Sequence, residues 1–172
     1  MKSINFFKYT LTILLFFNIN LVRADFTAKV QRVVDGDTIY VVDNFGKKFK
    51  VRLSGIDAPE KNQPYGLAST YKLTKIILNK WVLLKSKLNN GNLYSTDRYN
   101  RVLAKVMYEG RDINLLQVSG GYAWHFKRYQ KQQSSLDRKS YSEAELNAKK
   151  NKLGLWGEKN PIAPWKWRKI KK

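Results

Sequence analysis

The chain has 172 residues, with 33 Lys plus Arg against 13 Asp plus Glu, one His and no Cys. The missing cysteines exclude a disulfide framework, a thiol nucleophile and a Cys-based zinc site, and a single histidine excludes a His-rich metal centre. With 43% hydrophobic and 13% aromatic residues the chain can build a core, and a formal charge of +20 directs it to a polyanion, whether nucleic acid, anionic lipid or acidic polysaccharide.

In chain order, Lys2 and Lys8 flank a start that runs into the apolar stretch Leu11 to Phe17 and ends at Val22-Arg23-Ala24, with no acid before Asp25. A basic start, a short apolar centre and a small-residue ending form the three-part pattern of a secretory signal. The expected cut is after Ala24, giving a secreted or periplasmic protein. The competing reading, a membrane anchor, wants about 20 apolar residues, and Asn18, Asn20 and Arg23 interrupt this run. Removing residues 1–24 takes away three basic residues and no acid, leaving 30 basic against 13 acidic groups, so the charge belongs to residues 25–172.

From Phe26 to Leu53 apolar and polar residues alternate twice around Asp43-Asn44-Phe45-Gly46, which predicts a β-meander. Beyond Pro59 and Pro64, the spacing of Leu67, Tyr71, Thr74, Ile77 and Leu78 predicts a helix over 67–78. Alternation returns over 81–88. Asn89-Asn90-Gly91-Asn92 reads as a turn, and 101–108 as a further strand ended by Glu109-Gly110. Ile113 to Val118 reads as a brief helix stopped at Gly120-Gly121. Ser142-Glu143-Ala144-Glu145 has the form of a capping box, which predicts a last helix over 143–152. Trp81, Trp124 and Trp156 read as core. The order suggests an α+β fold, a small five-stranded barrel with about three helices, occupying residues 25–160. Residues 161–172 hold five basic residues, two Trp and no acid. They read as a cationic tail, either solvated, touching phosphates, or touching an anionic membrane surface.

Three short segments concentrate polar residues beyond what packing needs. In Asp35-Gly36-Asp37-Thr38 two carboxylates bracket a glycine, which reads equally as a tight turn with solvated side chains or as a functional pair. In Arg52-Leu53-Ser54-Gly55-Ile56-Asp57-Ala58-Pro59-Glu60, Pro59 ends a strand and leaves Asp57 and Glu60 at the mouth of the sheet. Asp37 and Asp57 suit a hard cation such as Ca²⁺, with Glu60 left for proton transfer or, in the bland reading, a surface salt bridge. Asp97-Arg98-Tyr99-Asn100-Arg101 adds a second strand-borne arginine, and two guanidiniums facing a carboxylate site suit a phosphodiester.

The ordered set, from Asp35 to Thr38, Arg52-Leu53, Ile56 to Glu60 and Asp97 to Arg101, resembles the staphylococcal nuclease (thermonuclease) family over about Phe26 to Trp156. The resemblance implies an oligonucleotide-binding (OB-fold) barrel with helices. It also implies a calcium-dependent endonuclease on DNA and RNA leaving 3′-phosphates, acting as a monomer. Carried over by position, Asp37 and Asp57 correspond to calcium carboxylates and Ala58 to a main-chain carbonyl ligand. Glu60 corresponds to the proposed general base, and Arg52 and Arg101 to the phosphate-binding arginines. Tyr99 and Tyr129 are similar to positions near the bound nucleotide, and Asp35 is expected to support the site by orienting the loop or a water. Asn100 stands where the family has Gly, and Asn tolerates the backbone angles such a turn needs. His125 reads as a packing residue. The alternative function is a non-catalytic nucleic-acid-binding OB-fold module, for which five matched catalytic residues have no chemical purpose.

Overall fold

The computed structural model describes residues 23–87 and 94–170. The apolar stretch of the leader and the turn at 89–92 lie outside the described residues. Strand β1 (Arg23–Asp35) pairs antiparallel with β2 (Thr38–Asp43) through its second half, and β2 pairs with β3 (Lys48–Leu53). The first half of β1 pairs instead with β5 (Trp81–Lys87), and β5 with β6 (Val102–Tyr108). Register shifts at Val30/Arg32 and Val33/Asp35 let one strand serve both neighbours, because a bulge bends and twists its strand. A parallel pairing of β3 with β6, Val51 opposite Val102 and Leu53 opposite Ala104, closes the five strands into a barrel. The expected α+β barrel is present. The cut expected after Ala24 falls two residues inside β1, where Arg23 and Ala24 pair with Lys87 and Ser86.

The period-2 pattern fills the barrel. Val30, Ile39, Val51, Leu53, Leu84 and Val106 are completely buried, each worth about 1.5–3 kcal/mol of transfer free energy. Of two short strands, β7 (Arg111–Asp112) extends the sheet by pairing antiparallel with β6, and β4 (Ile56–Asp57) lies outside it. Helix α1 (Gly66–Ile77) closes one end, but with a different face from the one the spacing suggests. It buries Gly66, Ser69, Leu73 and Ile77, and leaves Leu67 and Tyr71 exposed. Small residues are needed on the buried face because α1 presses directly on the turn between β1 and β2. Helix α2 (Ile113–Ser119) is capped by Asp112, whose side chain accepts the N–H of Leu115.

Strand β8 (Trp124–His125) pairs with β4, and a 3-10 segment, Lys127–Gln132, leads to α3 (Ser135–Lys150). Helix α3 begins earlier than the expected 143, because Ser134 caps it by accepting the Asp137 N–H at 3.0 Å, and Ser142 lies within it. Trp156 is buried and Trp124 partly so, their rings 4.3 Å apart. Trp81 is half exposed, at 49%, so it is not core. The cationic tail is not simply solvated: residues 164–170 form α4 (Pro164–Ile170). Trp165 stacks on Phe126 at 5.4 Å and meets Trp124 edge-on at 5.5 Å, while Trp167 Nε1 donates to Asn62 Oδ1. Aromatic burial offsets the entropy that would keep a terminal segment free. No helix among the described residues is long and apolar enough to cross a membrane.

Candidate active site

Gly36 and Asp37 form the turn from β1 to β2, with Asp35 opposite Thr38. A Cβ on Gly36 would lie 1.8 Å from Ser69 Oγ and 2.7 Å from the Ala58 Cβ. Only glycine lets α1 and the Ala58 segment close on the turn. The segment is a tight turn, but the solvated reading fails for Asp37, which is driven inward. Asp37 Oδ2 accepts the Ala58 N–H at 2.6 Å and its Oδ1 accepts the Thr38 hydroxyl at 3.0 Å.

Asp57 reaches the same point from β4 and is 2% exposed. Between the two carboxylates stands Arg52 of β3, its Nη2 3.1 Å from Asp37 Oδ2 and 2.9 Å from Asp57 Oδ1, while Nη1 donates to the Leu53 carbonyl at 2.9 Å. Two carboxylates thus converge on one positively charged atom. Asp35 Oδ1 accepts the Asp37 N–H at 3.0 Å. Burial, then the negative charge of Asp37, pushes the Asp35 carboxyl up to about 7. Burial also raises the pKa of Asp57, although Arg52 opposes it.

Glu60 stands at the edge of the site, its backbone N–H donating to Gln63 Oε1 at 3.2 Å. Gly66 opens α1 hard against it, since a Cβ there would lie 1.8 Å from the Glu60 carbonyl oxygen. Arg101 is aimed by Asp97, whose Oδ2 lies 2.8 Å from Nε and 2.6 Å from Nη2, and whose Oδ1 accepts the Arg101 N–H. Asn100 takes φ +57°, the left-handed turn expected of it. Burial raises the Asp97 pKa, but the hydrogen bonds from Arg101 outweigh it and leave the carboxyl below its ordinary value.

Asp35, Asp37, Arg52, Asp57, Ala58, Glu60, Tyr99, Arg101 and Tyr129 all line one cleft of about 980 Å³. Tyr99 is exposed beneath the guanidiniums of Arg98 and Arg101, and Tyr129 is half exposed with its ring 5.2 Å from Phe126. The structure therefore brings together every site residue singled out from the sequence. His125, expected to be a packing residue, is buried, its Nε2 2.9 Å from Gln133 Oε1 and its Nδ1 3.1 Å from Ser142 Oγ.

Two residues take roles that the sequence did not assign them. Asp97 holds Arg101, and the signal was their i, i+4 spacing with opposite charge. Arg168 of α4 enters the cleft and binds Glu60 and Asp57. No local signal marks it, since it lies 108 residues from Glu60 in the chain. Among the described residues, no group of three or more His, Cys, Asp or Glu is arranged to hold a metal ion. A cation here would rely on two carboxylates supplemented by backbone oxygen and water.

Residues 50–158 match the family described as staphylococcal nuclease homologue. The chain is 38% identical over 146 residues to an uncharacterized endonuclease of Haemophilus influenzae, covering 85% of this chain and 75% of that protein. It is 34% identical over 162 residues to an uncharacterized endonuclease of Escherichia coli, covering 94% and 97%. A micrococcal nuclease of Shigella flexneri is 36% identical over 158 residues, 87% and 84% of the two chains. With a barrel closed by a parallel strand pair, and the ordered carboxylates and arginines gathered at its mouth, the chain belongs to the staphylococcal nuclease family.

Proposed function

We propose that the protein is an endonuclease that hydrolyses phosphodiester bonds of DNA and RNA with Ca²⁺ as cofactor, leaving 3′-phosphate ends. The observation that carries this reading is the convergence of Asp37 and Asp57 on one point, with Glu60, Arg52 and Arg101 facing the same cleft. The oxygen-only donor set fits a hard cation, and the crowding of three acids around the β1–β2 turn is the environment that a divalent charge relieves. Asp37 and Asp57 would hold the ion, with the Ala58 carbonyl as a third oxygen. When bound, it supplies Lewis-acid stabilisation of the phosphoryl oxygens.

The chain's own residues do the rest. Glu60, at the cleft edge, takes the proton from the attacking water. Arg52 and Arg101 stabilise the charge that grows on the phosphoryl oxygens, and their fixed partners mean that little reorganisation is needed as it forms. Arg101, a guanidinium held by Asp97, is a poor proton donor, so its contribution is electrostatic. Tyr99 and Tyr129 offer faces on which bases stack. The 30 basic against 13 acidic residues of 25–172 draw the polyanion to the cleft. The pattern of residues 1–24 supports export, with the working domain beginning near β1.

Purified protein incubated with plasmid and with RNA should cleave both in CaCl₂ and neither in chelator. Glu60→Gln should lose turnover while retaining nucleic-acid affinity by filter binding. Near-normal cleavage by that variant removes Glu60 from the base role. Binding without cleavage by the unaltered protein in calcium replaces the enzyme with a nucleic-acid-binding module.

A further inference from the structure

Arg168 also lines the cleft and differs from Arg52 and Arg101 in how it arrives. Arg52 and Arg101 are anchored to the barrel, whereas Arg168 sits on the seven-residue α4 at the end of the chain. Its Nη1 donates to Glu60 Oε1 at 2.7 Å and its Nη2 to Asp57 Oδ2 at 2.8 Å. Arg52 already holds Asp57 Oδ1 at 2.9 Å, so both oxygens of this carboxylate are covered by guanidinium. Contacts separate from the fork hold the helix in place: Trp165 against Phe126 and Trp124, Trp167 on Asn62, and Gln63 donating to the Ile162 carbonyl. The Arg168 side chain is 44% exposed, against 21% for Arg101 and 12% for Arg52. Unlike Arg52 of β3, it can withdraw without disturbing a barrel strand.

We propose that Arg168 is a built-in counter-ion: it occupies Asp57 and clamps Glu60 until a divalent cation displaces it, making α4 an autoinhibitory latch coupled to cation binding. This rests on the reading of Asp37 and Asp57 as cation ligands. A monovalent guanidinium and a divalent cation repel each other across a shared carboxylate, so each weakens the other's hold. The coupling is reciprocal: whatever affinity the cation gains when Arg168 is absent is the amount by which the cation loosens the helix. A guanidinium on Glu60 Oε1 also occupies the oxygen that would receive a proton, so the site is blocked at two of its working groups by one side chain.

The experiment is calorimetric titration of CaCl₂ into the full chain and into three variants. Arg168→Ala should bind Ca²⁺ roughly 5- to 150-fold more tightly than the unaltered protein, the usual span of such couplings. Arg168→Lys keeps the charge and should stay near the unaltered affinity. Trp165→Ala removes the stacking that docks α4 and should shift affinity in the same direction as Arg168→Ala with the guanidinium still present. In the unaltered protein, added Ca²⁺ should change the fluorescence of Trp165 as it leaves Phe126, and Trp165→Phe should lack that change. Equal affinity in the unaltered protein and Arg168→Ala overturns the latch while leaving the cation reading intact, and weaker binding by Arg168→Ala overturns it too. No binding by any of the four overturns both.

Discussion

Two buried polar clusters sit side by side on the floor of the cleft, joined where β4 pairs with β8, Asp57 opposite Trp124 and Ile56 opposite His125. In the cluster around His125 every partner is matched. The backbone N–H of His125 donates to Glu145 Oε1 at 3.0 Å, and Glu145 Oε2 accepts from Lys127 and Lys149, each at 3.0 Å. The imidazole is paired at both nitrogens, Nε2 with Gln133 Oε1 and Nδ1 with Ser142 Oγ. Burial raises the Glu145 pKa, but the two lysines outweigh it and leave the carboxyl below its ordinary value. In the neighbouring cluster, Asp35, Asp37 and Asp57 crowd together, and burial leaves Asp35 and Asp57 raised even with Arg52 beside them. One cluster is built for stability and the other holds charge at a cost to it, which is the pattern expected where a site must bind something further.

The contrast is sharpest under substitution. Asp57→Asn should lower the cleavage rate by about 10² to 10³, the loss typical of one electrostatic group at a reacting centre. Its thermal midpoint at pH 8 should not fall. The raised pKa of Asp57 means that its stability contribution is present at low pH and lost as pH rises through the raised value, and Asn carries no such loss. A fall in midpoint at pH 8 would make Asp57 a structural residue like Glu145. Glu145→Gln should do the reverse, leaving the cleavage rate within a few-fold and lowering stability in urea unfolding by about 1.5–3 kcal/mol, because charged hydrogen bonds to a buried oxygen are lost.

The smallest effect is a pH dependence. Burial holds the His125 pKa below its ordinary value of 6.5, against the opposing Gln133 hydrogen bond. Between the two values the unfolded chain binds more protons than the folded one. The stability His125 contributes is therefore present above about pH 6.5 and lost as pH falls through its lowered value. Midpoints measured from pH 7.5 to pH 5 should fall more for the unaltered protein than for His125→Gln. An identical fall in both would mean that the imidazole is not buried as described.

Much of the architecture is readable locally. Alternation over 26–53, 81–88 and 101–108 identifies the barrel strands, because a strand half buried against a core must alternate whatever it pairs with. Pro59 after Asp57 and Asn100 before Arg101 signal where the backbone turns beside a functional group at the barrel mouth. The face of α1 is not legible in the same way, because Leu67 and Tyr71 fit helical spacing as well as Leu73 and Ile77 do. The choice between them lies in the approach of Ser69 to Gly36, which no periodicity records. Nor is the start of α3, because the capping pattern at Ser142 is formally as good as the one at Ser134.

What the sequence by itself determined is the inventory and its order: a basic chain without cysteine, two Asp flanking Gly36, Arg52 before one turn and Arg101 after another, and the five-strand rhythm of a barrel. These come from side-chain chemistry and from the period of each element, both local properties. Only the tertiary structure decided that Asp37 and Asp57 meet at one atom of Arg52, that the neighbouring carboxylate Glu145 is neutralised by lysines, and that Arg168 returns to Asp57 from 111 residues away. Those contacts exist because barrel closure and the packing of Trp165 bring distant segments within hydrogen-bond range, and a contact between distant segments leaves no trace in the spacing of either one.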